Sequence, residues 1–170
     1  MKQTIPLSYP GTPLSEDDFT THQVLYNHDQ LRAEFSWDTG VTIGSYLAAL
    51  KKGVILGAKC SNCRKIVVPP RVVCEWCFVP MREYIPLQDT GVVNTFSLCY
   101  VTWDVQRISA PEIPAVIEID GASPLHGIMH RLGEVDPSEV HIGMRVQAVW
   151  KPVEERQGAI TDIRYFKPLE

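Results

Sequence analysis

The apolar positions of this chain change period near residue 90, from helical spacing to strand-like runs. Ile43, Tyr46, Leu47 and Leu50 form one helical stripe, Lys51 and Lys52 occupy the last turn, and Gly53 follows as a natural C′ residue. This predicts a helix over 42–52. Upstream, Ser15 precedes Glu16, Asp17 and Asp18, an N-cap followed by acidic residues that suit the helix dipole, so helix is expected through part of 16–37. The apolar pattern there is weaker: Leu31 and Phe35 share a face at i, i+4, Phe19 and Val24 match poorly, and the segment fits one helix or two. Pro6, Pro10, Gly11 and Pro13 make residues 1–14 an extended arm.

Val54-Ile55-Leu56 reads as a short strand leading into the first cysteine pair. Beyond residue 90, β-branched and aromatic runs predict strands at 91–106, 113–120, 125–132, 144–150 and 159–166. Asp120-Gly121 is a hairpin signal between the second and third, and Asp136-Pro137-Ser138-Glu139 suits one helical turn between the third and fourth. Five strands, the first long enough to bend, with a helical insertion after the third, suit an OB-type barrel; a β-sandwich fragment is the competing architecture. The expected fold class is α+β, in three parts: an arm and helices over 1–53, a cysteine ribbon over 54–88 and the barrel over 89–170.

Composition narrows the class of protein. With 45% apolar and 21% charged residues, the 170-residue chain is neither collagen-like nor disordered. No run of ~18 apolar residues is present and Met1-Lys2-Gln3-Thr4 does not open a signal peptide, so a cytoplasmic protein with no membrane association is expected. The net charge of −4 is unevenly spread: residues 1–39 balance to −4, 40–90 to +4 and 91–170 to −4. Four thiolates on a Zn²⁺ ion would lower the middle segment to about +2. That is a weak footprint for nucleic acid, which asks for a concentrated basic stripe, whereas a small anion or an acidic partner surface needs less.

Five cysteines are present, and four form two C-x-x-C pairs, Cys60/Cys63 and Cys74/Cys77, with ten residues between the pairs. Each pair can bring two sulfurs to one cation while turn amides donate to them, and two pairs complete a tetrahedral soft-ligand set. Four protein thiolates leave no position for an activated water, so a single structural Zn²⁺ is expected; a rubredoxin-like iron centre uses the same ligands, and spacing alone does not choose between them. A ribbon with little core of its own would depend on that metal, which contributes roughly 10–16 kcal/mol of apparent binding free energy in isolated zinc modules.

Other reactive residues have plainer readings. Cys99 lies in a strand-like run and is expected to be a buried, inert thiol. His126 and His130, on a predicted strand, would stand ~13 Å apart, too far to share an ion. Glu118 and Asp120 read as solvated strand residues beside a turn. Phe96, Tyr100, Trp103, Trp150, Tyr165 and Phe166 are expected mainly to fill the barrel, although exposed aromatics on such folds can stack bases. The sequence carries no glycine-rich phosphate loop, G-x-S-x-G or H-E-x-x-H, and no catalytic residue is assigned.

From the second helix onward the chain resembles the zinc-ribbon/OB-fold acyl-CoA-associated family, a domain-of-unknown-function family found beside thiolases and hydroxymethylglutaryl-CoA synthases. The resemblance rests on residues 53–63 (GVILGAKCSNC), Val68-Pro69-Pro70-Arg71 before Cys74-Glu75-Trp76-Cys77, Ile142-Gly143-Met144-Arg145-Val146 and Tyr165-Phe166-Lys167-Pro168. It covers about 125 of the 170 residues. One departure is Arg64, where the family commonly has Gly, which predicts a slightly different first turn. The resemblance implies a non-catalytic scaffold subunit that docks on a thiolase-like or hydroxymethylglutaryl-CoA synthase-like enzyme and can line the route of a CoA-bound intermediate. Bound acyl-CoA would need cationic donors, for which Lys59, Arg64, Lys65, Arg71 and Arg82 are the candidates. A nucleic-acid-binding ribbon/OB module is the alternative reading.

Overall fold

The computed structural model describes residues 14–21 and 32–169. Met1–Trp37 and Asp38–Glu170 are separate compact units. In the first, α1 (Glu16–Thr20) is a single short helix whose Asp18 carboxylate accepts from the Ser15 amide at 2.7 Å and hydroxyl at 2.9 Å. The helix expected through 16–37 is thus realised only at its start: residues 32–39 are irregular, and Leu31, the partner expected for Phe35, lies outside the described residues, as does the arm over 1–13. Phe35 instead meets Trp37 edge to face, with ring centroids 6.0 Å apart.

The second unit opens with α2 (Gly40–Lys51), which buries Thr42, Tyr46 and Leu50 and ends at Gly53, whose φ of +76° only glycine adopts without strain. Burial pushes the Tyr46 phenol up to about 12. Next come β1 (Ile55–Lys59), β2 (Ile66–Val67) and β3 (Glu83–Leu87), an antiparallel sheet in the order β2-β1-β3. The cysteine pairs sit in the β1–β2 turn and the β2–β3 connection.

The barrel is formed by β4 (Thr90–Phe96), β7 (Pro114–Ile119), β8 (Gly127–Arg131), β9 (Arg145–Trp150) and β10 (Ile163–Pro168), hydrogen-bonded in the order β10-β9-β4-β7-β8. A parallel bridge between Leu132 and Phe166 joins the two ends. This is the strand order of an OB fold, so the expected α+β class holds. β7 alternates strictly, sending Ala115, Ile117 and Ile119 inward, where they meet Val93, Ile128, Val146, Ile163 and Phe166. Ile55 and Val68 of the ribbon and Tyr46 and Leu50 of α2 belong to the same core.

Several elements differ from the sequence expectation. The run 91–106 is not one bent strand: β4 stops at Phe96, and β5 (Cys99–Val101) pairs with β6 (Arg107–Glu112) as a separate two-stranded hairpin. β propensity reports an extended backbone, and cannot report which partner the strand finds. Two expectations hold: Asp120-Gly121 turn the chain between antiparallel β7 and β8, with Ala122 N–H donating to Ile119 O at 3.1 Å and Gly121 at φ +90° within a loop over 120–126, and Asp136–Glu139 form one turn, with Glu139 N–H donating to Asp136 O at 2.9 Å. The last strand begins at Ile163 because Ile160–Asp162 form a 3₁₀ turn. There the buried Asp162 carboxylate accepts from the amides of Gln157, Gly158 and Ala159 at 2.9, 2.7 and 3.1 Å.

Candidate functional site

Two turns of the same design hold the cysteine sulfurs. In the first, Cys60 N–H donates to Lys65 O at 2.8 Å and Arg64 N–H to Cys60 O at 3.1 Å. In the second, Cys74 N–H donates to Val79 O at 3.0 Å and Phe78 N–H to Cys74 O at 2.9 Å. The residue after each second cysteine lies in the left-handed region, Arg64 at φ +65° and Phe78 at +55°. Arg64 therefore accepts the turn that glycine would fill more readily, and the two knuckles match.

All four sulfurs lie within 4.8 Å of one another, and Cys63 Sγ is 3.6 Å from Cys74 Sγ. A Zn–S bond of about 2.3 Å in a tetrahedron places sulfurs about 3.8 Å apart, so the donor set fits one Zn²⁺. Cys60 and Cys74 are buried, and Cys63 and Cys77 are half-buried. Without metal, the Cys63 amide, aided by that of Asn62, holds the Cys60 thiol down at about 7 against the effect of burial. The Lys65 amide favours the Cys63 thiolate, but burial and the neighbouring sulfurs outweigh it and push that thiol up to about 12. A divalent cation removes this conflict by stabilising all four thiolates together. With every ligand supplied by the protein, the zinc is structural: it crosslinks the two turns.

Beside the second knuckle, a groove of about 750 Å³ runs between ribbon and barrel, lined by Lys65, Arg71, Glu75 and Trp76 on one side and by 123–126 on the other. Reciprocal bonds tie its walls together: Ile66 N–H donates to Ser123 Oγ, and Ser123 N–H to Ile66 O, both at 2.9 Å. The Lys65 ammonium lies 3.4 Å above the Trp76 ring centre, and Trp76 meets His126 edge to face at 5.5 Å. Arg71 donates to Glu75, whose other oxygen is 3.8 Å from His126 Nε2. Burial holds the His126 imidazole below its ordinary value, and the positive charges of Arg71 and Lys65 act in the same direction against Glu75 and Glu118.

Of the five cations singled out from sequence, the fold brings Lys65 and Arg71 to this groove. Lys59 pairs across the β1–β3 register with Glu83 at 3.3 Å, and Arg64 and Arg82 stand on the exposed ribbon surface. Trp76, Glu75 and His126 were not singled out as groove residues, since only docking of the ribbon on the 120–126 loop makes them neighbours. His126 precedes β8 rather than lying on it, and His130 packs edge to face on Phe166 at 5.7 Å. Asp120 is not simply solvated: it takes Arg145 through two bonds of 2.8 and 2.5 Å and also accepts from Thr90. Arg145 first, and Thr90, hold its carboxyl below the usual range. Cys99 is half-buried on β5 instead of buried. Only Phe166 of the six barrel aromatics is fully buried, whereas Trp103 is 96% exposed.

Comparison with known proteins agrees with this geometry. Residues 47–80 match the family model described as the ChsH2 rubredoxin-like zinc ribbon domain, and 84–151 match the ChsH2 C-terminal OB-fold domain. A DUF35 domain-containing scaffold protein of Methanocaldococcus jannaschii is 32% identical over 119 residues, spanning 68% of this chain and 82% of the relative. The chain belongs to the DUF35 family of zinc-ribbon/OB-fold proteins. A second DUF35 scaffold protein, from Methanothermobacter thermautotrophicus, is 25% identical over 117 residues, or 67% of this chain and 86% of that one. Two solved structures share the DUF35 fold. One is a DUF35 protein of unknown function from Sulfolobus solfataricus, with TM-score 0.60, 22% identity and coverage of 76% of this chain and 87% of that chain. The other is an Ltp2-ChsH2(DUF35) aldolase, with TM-score 0.56, 18% identity and coverage of 81% and 98%. No helix among the described residues is long and apolar enough to cross a membrane.

Proposed function

We propose that this DUF35 chain is a non-catalytic cytoplasmic scaffold subunit that docks on a thiolase-like or hydroxymethylglutaryl-CoA synthase-like enzyme and contacts the CoA part of its acyl-CoA. The observation that carries this reading is the β5–β6 hairpin. It leaves the barrel with Tyr100 48%, Val101 44%, Val105 79% and Trp103 96% exposed. Exposed apolar groups gathered on one projecting element mark a protein contact, and tryptophan is the side chain most enriched where such contacts hold their energy. The relatives named as scaffold proteins and the neighbour titled as an aldolase with ChsH2 support the same reading.

The groove supplies the CoA contact. Lys65 and Arg71 offer cationic donors for phosphate, and the half-exposed Trp76 offers a ring face. Arg64 and Arg82, on the ribbon surface, and Lys59 are outer contacts in this reading. Copurification from the source cells is expected to recover a thiolase-family enzyme and one zinc per chain. Trp103→Ala should weaken that association by about 2 kcal/mol, roughly 30-fold, while zinc content is retained. The paired Lys65→Ala/Arg71→Ala change should lower CoA affinity without releasing the enzyme. A chain that stays alone at micromolar concentration and ignores acyl-CoA would refute the proposal. Salt-sensitive binding of single-stranded nucleic acid in its place would favour the alternative ribbon/OB role.

A further inference from the structure

A second depression, of about 520 Å³, is lined by His130, Arg131, Lys151, Thr161, Ile163 and Arg164, none of which lines the ribbon groove. It forms where β8, the 151–162 connection and β10 meet, and it gathers three full cations from three elements of a segment whose balance is −4. Like charges brought together repel unless something compensates them. Among the described residues, neither Arg131, Lys151 nor Arg164 has a carboxylate within ion-pair distance. The neighbouring acids reach these cations only through longer-range attraction, Asp162 toward Lys151 and Glu134 toward Arg164, while their hydrogen bonds go elsewhere. Asp162 is fully buried against three backbone amides, and Glu134 accepts from the Tyr165 hydroxyl and faces Lys167 at 3.6 Å.

The two arginines are also oriented. Arg131 Nε–H donates to Arg164 O at 2.8 Å, which fixes the plane of its guanidinium and leaves both Nη groups to bind. Arg164 lies 5.8 Å from the Tyr165 ring, and the exposed Thr161 adds a hydroxyl at the rim. The His130 ring is held by Phe166, and its buried Nδ1 has no hydrogen-bond partner.

We infer that this pocket binds an organic phosphate, a mono- or diphosphate ester of nucleotide size. A phosphate accepts several charge-assisted bonds at once and matches guanidinium bidentately, whereas a single carboxylate would leave two of three cations uncompensated. The volume lies within the usual range for small-molecule sites. A polynucleotide is disfavoured, because the basic pocket is isolated on an acidic domain rather than continued as a stripe. The site goes beyond the proposed scaffold role and does not depend on it.

The test is calorimetric titration of the full metal-loaded chain with ADP, inorganic pyrophosphate and a single-stranded oligonucleotide. ADP is expected to bind saturably at one site per chain. Arg164→Ala and Lys151→Ala each remove a side chain with no hydrogen bond of its own, so melting temperature and zinc content should hold while ADP affinity falls about tenfold or more. Arg164→Lys should lie between Arg164→Ala and wild type, because it keeps the charge but not the fork. Pyrophosphate binding with the same variant sensitivity would also support the site and assign recognition to the phosphates alone. Three outcomes with ADP would overturn it: no saturable binding, binding unchanged in Arg164→Ala and Lys151→Ala, or binding lost only in Lys65→Ala/Arg71→Ala, which would place the ligand in the ribbon groove. An oligonucleotide bound more tightly than ADP would overturn it in favour of nucleic acid.

Discussion

Val93, Ile117, Val146, Ile163 and Phe166 are sealed inside the barrel at 1% exposure or less, whereas the ribbon's own buried cluster consists of Ala58, Cys60, Val67, Cys74 and Met81. Two of those five are metal ligands. The barrel can therefore be held by apolar area removed from water, as a strictly alternating β7 shows most directly. The ribbon cannot: its two turns each hold a non-glycine residue at positive φ, and its buried thiols oppose one another until a cation joins them. One folded unit thus contains a region stabilised by area and a region stabilised by coordination, joined where Ile55 and Val68 enter the barrel's core.

The sharpest way to break this comparison is to remove a ligand. Cys74→Ser, or chelation of the wild type, should forfeit most of the roughly 10–16 kcal/mol that a structural zinc contributes in isolated modules. Hydrogen exchange should then show the amides of 60–79 unprotected while β4, β7 and β9 keep their protection. Protection of both regions surviving chelation would mean that the ribbon has an apolar core after all.

The reverse experiment is Ile117→Ala, a fully buried position on β7. A loss of about 2–5 kcal/mol is expected in denaturant unfolding, with zinc still bound below the transition. Gly127 makes the same point from backbone spacing: an added Cβ would stand 2.1 Å from Ile117 O, so Gly127→Ala should force β7 and β8 apart.

Acid separates the regions in order. Metal binding requires thiolates, so zinc affinity falls steadily as pH drops below neutrality, and the ribbon opens first. The barrel's acid limit lies lower. Burial alone would raise the Asp162 carboxyl, but the amides of Gln157, Ala159 and Gly158 outweigh it and hold it below the ordinary 3.8. A depressed folded-state value gives stability that is present above the unfolded value and lost as pH falls through the folded one. Wild-type barrel stability should thus decline only below about pH 4, and Asp162→Asn, already without the charge, should show a flatter acid limb. Metal release by absorbance of a zinc indicator and barrel unfolding by circular dichroism should give two separate transitions.

The smallest effect concerns the knuckles. Phe78 is 81% exposed at φ +55°, so Phe78→Gly relieves left-handed strain of about 1–2 kcal/mol and loses about 0.5–1 kcal/mol to glycine's chain entropy. A net gain of about 0.5 kcal/mol is expected, measurable as slower zinc loss to a competing chelator.

Much of the fold was legible because its signals are local. The stripe Ile43, Tyr46, Leu47, Leu50 with Gly53 after it gave α2 to within two residues, and β7, β8 and β9 fall inside predicted strands. The first long strand failed for a reason that propensity cannot see. A register shift between Val93 and Thr95 bends β4, and Cys99–Val101 then finds its partner in Arg107–Glu112 rather than in the barrel. The expectation that the aromatics fill the barrel holds for Phe166, with Phe96 and Trp150 packed against the core, and fails for Tyr100 and Trp103, which lie on or at the turn of that hairpin.

The sequence by itself determined the four-thiolate metal site and where most of the barrel strands lie, since ligand spacing acts within single tight turns and alternation acts within single strands. Only the tertiary structure decided what surrounds them. Lys65, Arg71 and Trp76 become one groove with His126 because the ribbon docks on the 120–126 loop, and Arg131, Lys151 and Arg164 become one pocket because β8 and β10 meet as the barrel closes. Those convergences join residues far apart in the chain, and they depend on register and closure, which no local pattern encodes.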